Sequence, residues 1–480
     1  MSILSLSFLI FLLAVIAAVY VLPPKTTPYV LLAANCCFYL QFGRKHALLL
    51  LAAALVTFFG GLLIHRLQGG AKKAVLAAVL VLNLGFLFGV KFIPYILGNI
   101  QRFVEFDPSP FAAALVVPVG VSFYTLQLCG YCIDVYRGKY EPCRNVFKYT
   151  AFATFFPLML QGPISHYDQL APQLFAERDR TRFYANLTAG AQLMLWGFFK
   201  KLVIADRAGL LVHAVFDNYT EYAGVPVVVG ALCYTLQIYA DFSGCVDICR
   251  GAAKTVGIDL IDNFRQPYFS VSIQDFWRRW HIALSSWFKD YLYIPLGGNR
   301  KGTARKYANL MTVFLVSGLW HGVGIHYIVW GLLQGIFQLI GAWTLPLKKK
   351  LCALAHIDRE SPVFLWVQRG ITLLLVTFSW VIFRANGTVA AAKMLLSVFA
   401  PSMNGGYGID NLDFMILFAG VIVLLITSYY REKGISIRQK VAEQVIPVRW
   451  GVYLTLLVIV LIFGIYGPGY SASSFIYMNF

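Results

Sequence analysis

Long apolar stretches recur along this chain from its first residues, and they restrict its fold more than any other feature. Residues 4–22, 29–42, 47–64 and 74–97 carry almost no charge. They are separated by Pro23 and Pro24, by Arg44 and Lys45, and by a polar run at 65–73. About 20 helical residues span the ~30 Å hydrocarbon layer of a bilayer. Backbone N–H and C=O groups inside that layer must find partners within the protein, which leaves helices as the simplest solution for such segments. The pattern predicts an all-α, polytopic membrane protein of about a dozen transmembrane and re-entrant helices.

A further long segment, 111–135, contains Pro118 and Gly120, which predict a break. Residues 147–162 have the length of a helical hairpin or re-entrant piece. Residues 187–216 are interrupted by Lys200, Lys201 and Asp206, which predicts two helical pieces at an interface, with His213 an interfacial histidine near the end. Residues 224–244 form another span, ending at Asp241, and Asp241 and Asp247 suit either a polar inner lining or a helix end at the interface. Further spans are expected at 327–345, 364–383, 414–429 and 451–466. Gly318 with Gly322, and Gly331 with Gly335, have the spacing that lets helix backbones approach closely. With no internal repeat, low-complexity tract or left-over soluble region, residues 1–480 read as one domain. The N-terminal segment has no basic lead-in and reads as a retained helix.

Of the 480 residues, 59% are hydrophobic and only 13% charged, against about 25% charged in soluble domains. The net charge of +18 would suggest nucleic acid in a soluble protein. Here the cations punctuate apolar segments, so lipid headgroups and the positive-inside bias account for them, and nucleic acid is set aside. The nine cysteines lie mostly in apolar runs. Cys129 and Cys132 form a C-x-x-C with no second pair or nearby histidine, which gives no basis for a metal site.

The densest chemistry lies in residues 272–324. Trp277, Trp280, Leu284, Trp287 and Tyr291 recur at helical spacing, predicting an amphipathic helix with an aromatic stripe at headgroup depth. His281 falls at the edge of that stripe. His321 ends the apolar run NLMTVFLVSGLWH, about 21 Å along a helix from Tyr307. An ionisable group within a membrane is costly and either serves a function or is satisfied by packing. Seven Lys/Arg fall between Arg278 and Lys306, a density that predicts a cytoplasmic location. Among them, Arg278, Arg279, Lys289, Arg300 and Lys301 are candidates for binding phosphate groups. Glycine amides in the LGGNRKG run offer a weak further signal. The same cations would also hold anionic lipid.

The run DFWRRWHIALSSWFKDYLYIPLGGNRKG (275–302), followed by GLWHG (318–322), resembles the membrane-bound O-acyltransferase family, in the bacterial branch of alginate O-acetylation and teichoic-acid D-alanylation proteins. The resemblance continues through VPVGVSFYTLQ (117–127), FFPLMLQGPISHYDQLAPQL (155–174), WGFFKKLVIAD (196–206), YTLQIYADFSG (234–244), NFRQPYFSVSI (263–273) and the terminal FIYMNF (475–480), with a motif core over 117–335. It implies helices around a central tunnel, with His321 as catalytic residue and His281 as its supporting partner. It also implies an acyl group, acetyl in the first instance and D-alanyl as the alternative, taken from acetyl-CoA or an acyl-carrier thioester with no permanently bound cofactor. The acceptor would be an extracytoplasmic polysaccharide or teichoic acid, reached with an SGNH-type partner, in the cytoplasmic membrane of a bacterium. Gln334 stands where relatives often have histidine, and FIYMNF replaces FIYFQF. A transporter is the competing class, suggested by broken helices and intramembrane histidines, but no inverted repeat supports it. An imidazole facing a tunnel is expected to contribute little packing.

Overall fold

The computed structural model describes residues 1–101, 116–159, 161–403 and 406–467. The terminal FIYMNF run and the first part of the 111–135 segment lie outside these. The described chain is helical, and the one β feature among these residues is an isolated bridge between Ala223 and Met403. It divides into two compact units, Met1–Met194 with Cys245–Ile261, and Leu195–Gly244 with Asp262–Phe480. Seven described helices are long and apolar enough to cross a membrane, and two shorter apolar helices accompany them. The protein is therefore a multi-pass membrane protein.

The first unit contains α1 (Leu6–Val21), α2 (Thr27–Leu40), α3 (Arg44–Arg66), α4 (Gly69–Ile100), α5 (Val121–Arg137), α6 (Val146–Ala153), α7 (Phe156–Met159), α8 (Tyr167–Phe175) and most of α9 (Phe183–Phe198). Its interior is tied by side chains that satisfy helix ends. Asn35 donates to the Ala151 carbonyl at 3.2 Å and accepts from the Phe156 amide at 2.9 Å, while the Tyr149 hydroxyl donates to Thr57 at 2.8 Å. The break expected at Pro118 and Gly120 falls immediately before α5. Gly120 adopts φ +75°, and a Cβ there would lie 2.0 Å from the Met159 carbonyl oxygen, so only glycine fits.

In the second unit, α9 runs into a π-helical segment, Phe199–Ala205, and then α10 (Asp206–Asp217). The remaining helices are α11 (Val225–Thr255, its first part belonging here), α12 (Ile273–Arg279), α13 (Ile282–Phe288), α14 (Thr303–His321), α15 (Ile325–Leu354), α16 (Pro362–Arg384), α17 (Thr388–Ser397), α18 (Asn411–Glu432), α19 (Ile437–Ala442) and α20 (Ile446–Phe463). Helices α14 and α15 form a close antiparallel pair. A Cβ at Gly331 would sit 2.3 Å from the Phe314 carbonyl oxygen, and one at Gly318 would sit 2.4 Å from that of Tyr327. These glycines are packing residues, as their spacing suggests.

Two expectations about charged and aromatic segments change here. Lys200 and Lys201 do not face an interface; they are 3% and 1% exposed. Lys201 Nζ lies 2.7 Å from carboxylate oxygens of both Asp206 and Asp241, and Lys200 donates to Ser243 at 2.9 Å. A buried charge persists when paired in this way. The 272–291 region, moreover, is not one interfacial helix. It breaks at Trp280 and His281 into α12 and α13, and Trp280 is 1% exposed. At the break His281 takes a left-handed conformation with φ 45° that ends one helix and starts the next.

Candidate active site

The break at His281 is held open by the NFRQPYF loop. The Asn263 carboxamide oxygen accepts from the Ala283 amide at 3.0 Å and lies 3.3 Å from His281 Nδ1. The Asn263 carbonyl accepts from the Ile282 amide at 3.0 Å, and the Arg265 amide donates to the Arg279 carbonyl at 2.9 Å. Two stretches that read as separate motifs thus close on each other, and the first two amides of α13 are satisfied by Asn263, one by its carbonyl and one by its side chain. Asn263 by itself carries no chemical signal in the sequence. Its place in the NFRQPYF run was the available signal.

His281 is 1% exposed. Its ring meets the Phe242 ring edge-on with centroids 4.8 Å apart, and the Trp320 ring lies at 6.3 Å. His321 is the last residue of α14, followed by Gly322 in extended conformation. It is 3% exposed and surrounded by the rings of Trp320 at 4.9 Å, Trp330 at 5.2 Å and Phe383 at 5.4 Å. The two histidines therefore share Trp320 as a neighbour, reached from the broken α12–α13 segment and from the end of a long helix. The aromatic packing corrects the expectation that the His321 imidazole contributes little to stability: it is part of a ring cluster that includes Trp330 stacked on Trp380 at 5.8 Å.

Beneath this cluster Gln334, 1% exposed, accepts from the Trp277 indole N–H at 3.1 Å and donates to the Ser379 hydroxyl at 2.7 Å. The residue that departs from the pattern thus ties α12, α15 and α16 below the histidines. On the other side, Asp241 and Ser243, which hold the two buried lysines, flank Phe242, the residue against His281. Asp247 instead pairs with Arg250 at 3.3 Å.

The cations are distributed unevenly. Arg279 is engaged with Asp275 at 3.1 Å and Glu432 at 2.6 Å, whereas Arg278, Lys289, Arg300 and Lys301 are exposed. The Gly297 and Gly298 amides donate to the Ile294 and Tyr293 carbonyls, and Asn309 donates to the Gly298 carbonyl at 3.0 Å. Those glycine amides are spent inside the turn and do not point at a phosphate. The 19 residues of α14, about 28 Å of helix, separate this basic turn from His321. A cavity of about 710 Å³ in this unit is lined by Tyr239, Tyr268 and Trp366 among others, and neither histidine is on its wall. At the His321 end of the spans, His213 lies exposed, 2.8 Å from Asp217, which Arg384 also reaches at 2.9 Å.

Residues 143–360 match the model of the MBOAT, membrane-bound O-acyltransferase, family. The chain is similar to the protein named "Probable alginate O-acetylase AlgI" of Pseudomonas fluorescens, 38% identical over 66% of this chain and 60% of that protein. It is also similar to a peptidoglycan O-acetyltransferase of Helicobacter pylori, 33% identical over 76% of this chain and 72% of the relative. A teichoic acid D-alanyltransferase of Bacillus subtilis is 25% identical over 53% of this chain and 68% of its own. The matches to the alginate O-acetylases of Pseudomonas fluorescens and Pseudomonas putida span 60% and 58% of those proteins, less than two thirds of their length. From the family match and the Helicobacter relative together, the chain belongs to the membrane-bound O-acyltransferase family.

Proposed function

We propose that this protein is a transmembrane O-acyltransferase that passes an acyl group, acetyl in the first instance, from a cytoplasmic thioester to a hydroxyl of an extracytoplasmic envelope polysaccharide. The observation that carries the reading is the convergence of His281 and His321, from two separate stretches, on Trp320. The names of the alginate and peptidoglycan relatives support acetyl as the group and polysaccharide as the acceptor.

In this reading His321 is the general base. In its neutral form the imidazole accepts the hydroxyl proton as the oxygen attacks the thioester carbonyl. The C–S bond then breaks and the proton passes to the departing thiolate, so the products are an ester and a thiol. His281 lines the donor side. Restriction of bulk water by the surrounding tryptophans protects the thioester from hydrolysis. Arg278, Arg279, Lys289, Arg300 and Lys301 lie in the stretch that would meet coenzyme A or an acyl carrier. Successive spans reverse direction, so the basic turn at 300–306, Lys348–Lys350 and the Arg431–Lys440 run share one end, which the charge rule makes cytoplasmic. His321 is then at the far end, toward the acceptor. The membrane would be the bacterial cytoplasmic membrane, and an SGNH-type partner would complete transfer to long polymer.

The test is thioester consumption by the protein in nanodiscs, with acetyl-CoA, an acetylated carrier and a D-alanylated carrier offered separately. Acetyl release dependent on His321 supports the reading, D-alanyl release alone changes the acyl group, and no thioester turnover with or without an SGNH protein ends it. A cysteine at Asn299 labelled by an impermeant reagent from outside intact cells would reverse the orientation.

A further inference from the structure

The 710 Å³ cavity is an apolar groove on the side of the second unit, walled by α11, α16 and α18 and floored by the Pro267–Phe269 turn. It runs from Thr235 and Tyr239, partway along α11, to Trp366 near the start of α16 and Tyr429 near the end of α18. Its rim carries large side chains open to the surroundings, with Trp366 53% and Leu425 55% exposed. At hydrocarbon depth such a groove is filled by an acyl chain more readily than by water, because its lining offers few polar partners.

The end of the groove is charged. Arg369 lies over Trp366 at 4.8 Å and over Phe269 at 5.5 Å, and its Nε donates to the Phe269 carbonyl at 3.1 Å. Lys433 lies over Tyr429 at 4.5 Å. Two cations therefore cover three groove-lining aromatics at the same end of the spans. The acidic groups nearby are largely engaged: Glu432 is 2.6 Å from Arg279 but 3.8 Å from Arg369, and Asp275 pairs with Arg279. Arg431 is exposed on the same turn as Lys433. Counting Arg279, Arg369, Arg431 and Lys433 against Glu432 and Asp275 leaves an excess of positive charge at the mouth. Cations stacked on aromatics at headgroup level, above an apolar slot, match the two ends of one molecule.

We infer that this groove is a binding site for a single anionic phospholipid, with an acyl chain between α11, α16 and α18 and the phosphate held by Arg369 and Lys433. The site is separate from the acyl-transfer chemistry, because neither histidine lines it, and it does not depend on that reading. Trp280 stands between: it packs on Tyr239 and Tyr268 of the groove at 6.3 and 6.2 Å, and is the residue before His281.

The experiment is native mass spectrometry of the purified protein with phosphatidylglycerol or phosphatidylcholine of matched chains. One lipid per protein should be retained, with phosphatidylglycerol favoured at least fivefold. R369Q with K433Q, the first half-buried and the second exposed, should cancel that preference while leaving chain binding. L425W, at an exposed position where added volume does not threaten folding, should lower retention of both lipids about tenfold. Equal retention of the two lipids, or retention untouched by L425W, would mean ordinary boundary lipid and overturn the site. Displacement of the bound lipid by acetyl-CoA would assign the groove to the donor instead and overturn it equally.

Discussion

Replacing His321 with alanine confounds two effects that the structure allows to be separated. The imidazole is 3% exposed and touches three aromatic rings, so truncation to alanine leaves a hole among Trp320, Trp330 and Phe383. Removing a buried aromatic side chain costs about 3–5 kcal/mol, and the stiff ring cluster here has little freedom to collapse. Phenylalanine keeps an aromatic ring, slightly larger than imidazole, while removing both nitrogens, and exchanges close to volume-conserving usually cost under about 1.5 kcal/mol. If His321 is the base, both variants lose about 10²- to 10⁴-fold in turnover, or roughly 3–5 kcal/mol of barrier. They should then diverge in stability, with H321F melting near the parent and H321A well below it. Added imidazole should partly restore H321A, which has space for it, and not H321F. The measurements are thioester-dependent acyl transfer in nanodiscs and thermal unfolding in the same lipid. A folded H321F with near-parental turnover would show that the residue is a packing element, and the proposed chemistry would have to move elsewhere.

Other perturbations follow from the same geometry. Gly331→Ala places a methyl 2.3 Å from the Phe314 carbonyl oxygen and should separate α14 from α15, lowering stability by about 1–3 kcal/mol, which thermal unfolding would detect. Lys201→Met leaves Asp206 and Asp241 buried without their shared cation and should cost about 3–5 kcal/mol, whereas adding Asp241→Leu should recover part of that loss; denaturation of both variants tests the sign. Partial burial works to raise the Asp217 pKa, but the His213 hydrogen bond and Arg384 outweigh it and hold the carboxyl below its ordinary value. Its stabilising contribution is therefore present above the unfolded pKa of about 4 and is lost as pH falls through the folded value. Unfolding temperatures at pH 5 and pH 3 should differ less in Asp217→Asn than in the parent.

The class of fold was readable because hydrocarbon imposes a one-dimensional rule. A segment either satisfies its own backbone over about 20 apolar residues or does not cross, and α3, α4, α15, α16 and α18 fall where such segments occur. Gly318 and Gly331 were readable for a related reason, since close helix approach depends on local spacing. Both histidines were legible as unusual, because an ionisable residue in an apolar run has few bland explanations.

The local breaks and partnerships were different. Helical spacing through Trp277, Trp280 and Trp287 describes one continuous helix, and nothing in that spacing reveals that Asn263, eighteen positions before His281, supplies the oxygen that starts a new one. The depth of Lys200 and Lys201 depended equally on distant residues, because a lysine faces the interface unless a carboxylate from another helix meets it, and Asp241 lies on α11. Hydropathy thus determined the long apolar spans and set His321 apart as an ionisable residue in an apolar run. Tertiary structure decided that both meet Trp320, that the lysines are buried, and that an apolar groove ends in stacked cations. Those outcomes depend on contacts between residues far apart in the chain, whose energies are absent from any local window.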